Sequence, residues 1–323
     1  MPALPSWLTE PLWDQFAALL PSREEFVPTH PWGCHRRRIA DRIVFDKLLQ
    51  VLRFGCSYQG VADRTCSAST LRARRDEWIR LGVFAQLRRI ALDAYDRIVG
   101  LLLHDVAVDG AITKAPGGGE VAGPSPVDRR KLGMKRSVLV EGHGIPLGRV
   151  LAGANRHDSP LLGPTLDHLG ALGPLPDEIT VHLDAGYDSG KTRDKLAERG
   201  LRGEIAHKGK KAPVQATRRW HIERTNAWHN GFNRLQRCYE RRETVLDAFF
   251  DLADTIITLR SLIRQRPGSP TAGTPDLPDA RDHQPIRASS KLGGHRLGDG
   301  AVCEPLRPVT HDLPRGSSGE SGL

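Results

Sequence analysis

A chain of 323 residues has room for one large domain or two ordinary ones, and enough length to bury a core. Its formal charge of +9 and pI near 9.6 point to a polyanionic partner, nucleic acid ahead of an anionic membrane surface, and the excess of arginine suits bidentate phosphate contacts. Five scattered cysteines without a CxxC pair argue against a disulfide framework or zinc ribbon; the absence of a signal peptide or an apolar run of ~18 residues points to a soluble protein of the cytoplasm, associated with the nucleoid.

Residues 1–98 read as helices with short breaks. Leu8, Leu12, Trp13, Phe16, Leu19 and Leu20 recur at helical spacing, as do Ile39, Ile43, Leu48, Leu49, Leu52 and Phe54, which Gly55 ends. A short helix from Tyr58 is followed by a turn and by a third helix capped at Ser67 or Ser69. In that third helix Leu71, Trp78 and Ile79 face the core, and Arg72, Asp76 and Arg80 face solvent. This is the outline of a helix-turn-helix, whose second helix enters the major groove. Arg72 and Arg80 are its candidate DNA contacts, with phosphate contacts from Arg36, Arg37, Arg38 and Arg42. An ordinary helical bundle with a charged exterior accounts for the same residues.

The stretch Leu101–Asp109 reads as a strand that stops at a carboxylate. A basic, Gly/Pro-rich passage from Lys114 to Arg136 follows, whose glycines let the backbone approach a ligand. Lys114, Arg129, Arg130, Lys131, Lys135 and Arg136 are candidates to line a DNA backbone; a solvated loop is the alternative. Ser137–Glu141 and Ile145–Leu151 form a hairpin around Gly142-His-Gly144. A helix at about Leu161–Leu169 leads to a strand, Ile179–Leu183, alternating apolar and polar and ending at Asp184. A helix at Thr192–Arg199 and a short strand at Gly203–His207 complete the series. Three strands, helix, strand, helix, strand and then long helices is the order of an RNase H-like α/β fold: a mixed sheet flanked by helices, here preceded by an all-α part.

A helix is expected from about Gln215 to Tyr239. It places Arg219, Glu223, Asn230 and Arg234 on one stripe and Trp228, Phe232, Leu235 and Tyr239 on the other. Arg219 and Arg234 then flank Glu223 toward DNA, and Trp220 can stack on an unpaired base, although a core role is commoner for tryptophan. A scaffold helix follows at Leu246–Arg264. From 266 to 323 the Pro/Gly/Arg-rich composition predicts disorder. Two strand-end aspartates, Asp109 and Asp184, and a helical glutamate, Glu223, are a ligand set for divalent metal against phosphate.

With these residues in view, the chain resembles the DDE transposases of bacterial insertion sequences. The likeness is carried by Val-Asp109-Gly, the Lys114-Ala-Pro-Gly-Gly-Gly-Glu passage with Ser125-Pro-Val-Asp-Arg129, Leu-Asp184-Ala-Gly-Tyr-Asp188, and Arg219-Trp-His-Ile-Glu223-Arg-Thr. Those motifs lie within a catalytic part at residues 99–265. The resemblance implies a triad of Asp109, Asp184 and Glu223. It implies double-stranded DNA partners, namely the element's terminal inverted repeats and a target, and a homo-oligomer assembled on DNA. Two Mg²⁺ ions, roughly 3.5–4 Å apart and replaceable by Mn²⁺, suit this chemistry, with Asp109 bridging them and Asp184 and Glu223 each holding one. Water cuts at the element's end, and the freed 3′-OH attacks target DNA. Ala216 and Asn230 stand where many relatives have tyrosine and lysine. Two other readings are a retired transposase that binds DNA without cutting it, and a P-loop NTPase built on the relaxed phosphate-loop pattern Ala185–Thr192.

Overall fold

The structure is a computed structural model describing residues 2–22, 38–207 and 219–265. Arg36, Arg37, residues 215–218 of the expected glutamate helix and the tail from 266 lie outside the described residues. Helix α1 spans Ser6–Ala18 and α2 spans Asp41–Phe54, closed by Gly55 at φ 69°. That left-handed conformation carries no steric penalty for a residue lacking Cβ. Ser57 caps the one-turn helix α3 (Tyr58–Val61), accepting from the Gly60 amide at 3.0 Å. Ser67 caps α4 (Ala68–Arg80), accepting from the Thr70 amide at 3.2 Å. α5 runs Val83–Ile98. Leu71 and Trp78 are buried and Arg72 and Arg80 exposed, as the periodicity of α4 requires. Trp13, Phe16, Phe45, Trp78 and Phe84 form one aromatic cluster, with the Phe16 and Phe45 centroids 4.6 Å apart.

The strands are β1 (Asp105–Lys114), the two-residue β2 (Gly123–Pro124), β3 (Leu132–Glu141), β4 (Pro146–Gly153), β5 (Thr180–Leu183) and β6 (Arg202–Ile205). β3 pairs antiparallel with β1 and β4, and β2 pairs with the first residues of β3. β5 runs parallel to β1, and β6 parallel to β5. Leaving aside β2, the order β4-β3-β1-β5-β6 is the RNase H-like arrangement expected from the element series. The helices are α6 (Asp158–Leu166), extended by a 3₁₀ turn, α7 (Gly190–Ala197), α8 (Trp220–Asn230), α9 (Asn233–Gln236) and α10 (Glu243–Gln265).

The sheet has two apolar faces, and period-two alternation decides which residue joins which. Val106, Val108, Leu139, Val181 and Leu183 pack with Leu162, Leu166 and Leu196 of α6 and α7. Ala107, Val138 and Val140 pack on the other face against Ile222 of α8. A separate apolar cluster joins the N-terminal helices to α10, with Leu12, Phe16, Trp78 and Phe84 meeting Phe249, Phe250, Leu252 and Ile256. α10 is tied to the sheet by Arg149 of β4, whose guanidinium reaches Asp251 at 2.9 Å and Asp254 at 3.0 Å. Among the described residues no helix is long and apolar enough to cross a membrane.

Candidate active site

Asp109 is not at a strand end. β1 starts at Asp105 instead of Leu101 and continues to Lys114, because Gly110–Lys114 pair with Gly133–Ser137 of β3. The feature that isolates Asp109 is the end of its other neighbour. Parallel pairing of β1 with β5 stops at Ala107 opposite His182, and β5 ends at Leu183. Continuing that register by two residues sets Asp184 beside Asp109. Alternation then puts both carboxylates on the face that carries Ala107, the face covered by α8. Asp184 leaves β5 into a 3₁₀ turn and its Oδ1 accepts the Gly186 amide at 2.8 Å. That amide is therefore occupied by the protein's own carboxylate, and Arg193 donates to Asp188 at 2.6 Å. Nothing in the loop favours the nucleotide-binding alternative.

α8 presents Glu223 beside the buried Ile222, leaving the glutamate exposed. The helix is shorter than the expected Gln215–Tyr239. It ends at Asn230, the extended Phe232 breaks it, and α9 restarts at Asn233. Its buried stripe is Ile222, Thr225, Asn226 and His229, mostly polar, so the expected apolar face did not predict which side would be covered. Arg219 lies at the helix start with its guanidinium 3.8 Å from Glu223. Arg234 no longer shares a stripe with Glu223: it is buried, with Nε donating to Glu240 at 3.0 Å.

Asn226, three residues beyond Glu223, donates from Nδ2 to Asp109 Oδ2 at 3.3 Å. The Gly110 amide donates to Asp109 Oδ1 at 2.8 Å. Burial, reinforced by the negative charges of Glu223 and Asp184, raises the Asp109 carboxyl to about 7. The Tyr187 hydroxyl is likewise pushed up, by burial first and then by Asp158, Asp109 and Asp184. Asp158, at the start of α6, lies against Gly110, where a Cβ would overlap its Oδ1. Lys135 donates to its other oxygen at 2.9 Å. Among the described residues, no three His, Cys, Asp or Glu side chains stand close enough together to hold one metal ion. Asp109 nonetheless lies within reach of the charges of both Glu223 and Asp184.

Asn226, Asp158 and Tyr187 were missed from sequence. Asn226 sits at i+3 from Glu223, a spacing that shares a helix face, and this signal was available. Asp158 had none except the glycine following Asp109.

The basic candidates divide in two. Arg129, Arg130 and Lys131 are exposed on the turn before β3, with Arg129 and Arg130 at φ 48° and 61°, unusual for residues with side chains. Lys114 is exposed, 3.7 Å from Asp128. Lys135 and Arg136, by contrast, belong to β3 and are buried, which corrects their placement in a DNA-lining loop. Arg136 donates to Thr113 at 2.7 Å and to Asn230 at 2.8 Å, and burial lowers its guanidinium to about 10. The glycine passage is exposed on one side and packed on the other. Gly117 and Gly119 pack on residues 239–241, and a Cβ on Gly119 would lie 2.6 Å from the Arg241 carbonyl oxygen. Trp220 is 39% exposed, with the Arg224 guanidinium 4.3 Å from its ring.

The chain is thus an RNase H-like α/β protein in which a glutamate-bearing helix covers the sheet face that carries two aspartates. Family comparison narrows this class. Residues 104–250 match the "Transposase DDE domain" model, and residues 8–88 match "Putative transposase of IS4/5 family". The chain is 36% identical over 148 residues to a "Putative transposase for insertion sequence element IS402" of Burkholderia cepacia, spanning 44% of this chain and 70% of that one. It belongs to the DDE transposases of insertion sequences, divalent-metal-dependent enzymes that cut and join DNA. Among solved structures, the catalytic domain of Mos1 mariner transposase is matched over 55% of this chain and 86% of that one, at TM-score 0.30 and 12% identity. The Mos1 strand transfer complex is matched over 81% and 84%, at TM-score 0.31 and 14% identity.

Proposed function

We propose that Asp109, Asp184 and Glu223 are the catalytic carboxylates with which this chain cuts the ends of its insertion sequence and joins the 3′-OH to target DNA. The observation that carries the reading is the position of Asp109, held on a rigid strand next to the end of β5 and under α8, where burial and the charges of Glu223 and Asp184 raise its carboxyl. Carboxylates that disfavour one another's ionisation are short of positive charge, and a hard divalent cation prefers oxygen donors of this kind. Two Mg²⁺ ions held there, or Mn²⁺ in their place, would neutralise the scissile phosphate and activate the attacking oxygen.

The rest falls to the protein. Asn226 and the Gly110 amide fix the two oxygens of Asp109. Gly186 fixes one oxygen of Asp184, and Arg219 stands by Glu223 to meet the DNA backbone. The helical part, residues 1–98, holds the terminal repeats with α4, and residues 99–265 cut. The protein assembles as a homo-oligomer on paired ends and works on the nucleoid in the cytoplasm.

The test uses the full chain and a labelled duplex carrying the inverted repeats that flank its gene. Mg²⁺-dependent nicking is expected, abolished by EDTA and by Asp109→Asn, Asp184→Asn or Glu223→Gln, with duplex binding retained. Nicking at wild-type rate by any of these variants removes that residue from the triad.

A further inference from the structure

A cleft of about 460 Å³ lies between α4, α3 and the segment after α9. By the same measure one water needs about 10–15 Å³, so the cleft has room for a phosphate group. Five arginines line it: Arg72 and Arg75 from α4, Arg234 from α9, and Arg241 and Arg242 from the segment leading into α10. Two carboxylates answer them. Glu240 takes Arg234 and the Tyr58 hydroxyl on one oxygen and faces Arg75 across 3.5 Å with the other. Asp76 takes Arg75 at 2.8 Å and Arg242 at 2.6 Å.

That leaves a surplus of positive charge. The Arg72 guanidinium lies over the Tyr58 ring at 4.9 Å, and neither it nor the exposed Arg241 has a carboxylate partner among the described residues. An ion-pair network that served stability alone would not need this excess, since unmatched guanidiniums repel. Nor can the segment swing off to relieve it. The Glu120 amide donates to the Arg241 carbonyl at 2.8 Å, and Gly119 packs against the same backbone.

We propose that this cleft seats a backbone phosphate of bound DNA. Arg72 and Arg241 contact the phosphate, and the Tyr58–Arg75–Glu240–Arg234 cluster beneath holds the seat rigid. Guanidinium forks suit this ligand because they match phosphate oxygens in pairs. The proposal rests on DNA being the partner, and it joins a residue of the helix-turn-helix-like segment to one that follows the glutamate helix at a single strand.

The experiment measures anisotropy of a labelled non-specific duplex with the full chain as salt rises from about 50 to 200 mM. Arg241→Gln and Arg72→Gln should each weaken binding several-fold and reduce the slope of log K against log salt by about 1. Arg199→Gln, whose guanidinium is paired with Asp167 elsewhere, should match wild type. Inorganic phosphate should raise the wild-type melting temperature more than chloride at equal ionic strength, and should lose that advantage in Arg241→Gln. Urea midpoints equal to wild type establish that the variants fold. Slopes unchanged in both variants overturn the proposal. So does phosphate stabilisation without a change of slope, which would mark a site for free anion. A wild-type chain that shows these slopes but never nicks DNA would overturn the transposase mechanism and leave the phosphate seat standing.

Discussion

The Asn226 side chain of α8 donates to Asp109 of β1 at 3.3 Å, and its own Oδ1 faces the Arg136 guanidinium at 3.4 Å. The amide is thereby oriented from both ends: its oxygen faces a buried cation and its nitrogen a carboxylate. Asn226→Ala should reduce metal-dependent cutting by about 10–100-fold, the usual cost of removing a group that orients a ligand. Duplex affinity should stay at the wild-type value, since Asn226 is buried. Cutting rates across a metal titration, paired with binding curves, check both halves.

Gly110 is where β1 meets the first residue of α6. A methyl group there would overlap Asp158 Oδ1, and Asp158 is tethered to Lys135. Gly110→Ala should destabilise the fold by about 1–3 kcal/mol, as overpacking does, and should also lower cutting because the shift falls on the residue next to Asp109. Urea denaturation measures the first and nicking the second.

Arg149 is enclosed by Asp247, Asp251 and Asp254 and is itself nearly fully buried. Replacing it with Met would leave the buried Asp254 without the guanidinium that contacts it at 3.0 Å. A loss of about 3–5 kcal/mol is expected, the range for breaking a buried pair from one side. The change in urea midpoint at constant m-value reads it.

His229 donates from Nε2 to Asp254 at 2.7 Å inside the same core. Burial holds the imidazole below its ordinary value. Burial also acts to raise Asp254, but it is outweighed by the hydrogen bond and charge of its partners, so that carboxyl sits low. Both groups therefore bind protons less readily folded than unfolded. Their stabilisation is complete above the unfolded values and is lost as pH falls, first below about 6.5 for His229 and then below about 3.9 for Asp254. The urea midpoint should drop through the first window, and His229→Gln should flatten that drop.

Much of this architecture is legible in the pattern of side chains. Val181 and Leu183 alternate with His182, and the hairpin about Gly142 is bounded by apolar runs, so β3, β4 and β5 could be placed in order. The far half of β1 could not, because Gly110–Lys114 join the sheet through backbone pairing with β3 and show no apolar alternation. α8 misled for a related reason: its covered side is built from Thr225, Asn226 and His229, whose partners lie on distant segments. Lys135 and Arg136 read as surface cations because their partners, Asp158 and Asn230, come from distant parts of the chain. The candidate carboxylates themselves stood out, since an acidic residue interrupting an apolar strand is conspicuous; the amide that steadies one of them is not.

Because α10 buries its apolar side against the aromatic cluster of the first helices, the N-terminal region is no swinging head on a tether. The span between α4 and the acidic residues of the sheet is fixed at the moment of folding. If α4 reads the element ends as proposed, a lineage moving to new ends would change its exposed side chains, Arg72 and Arg80 among them, and keep the ruler beneath them intact.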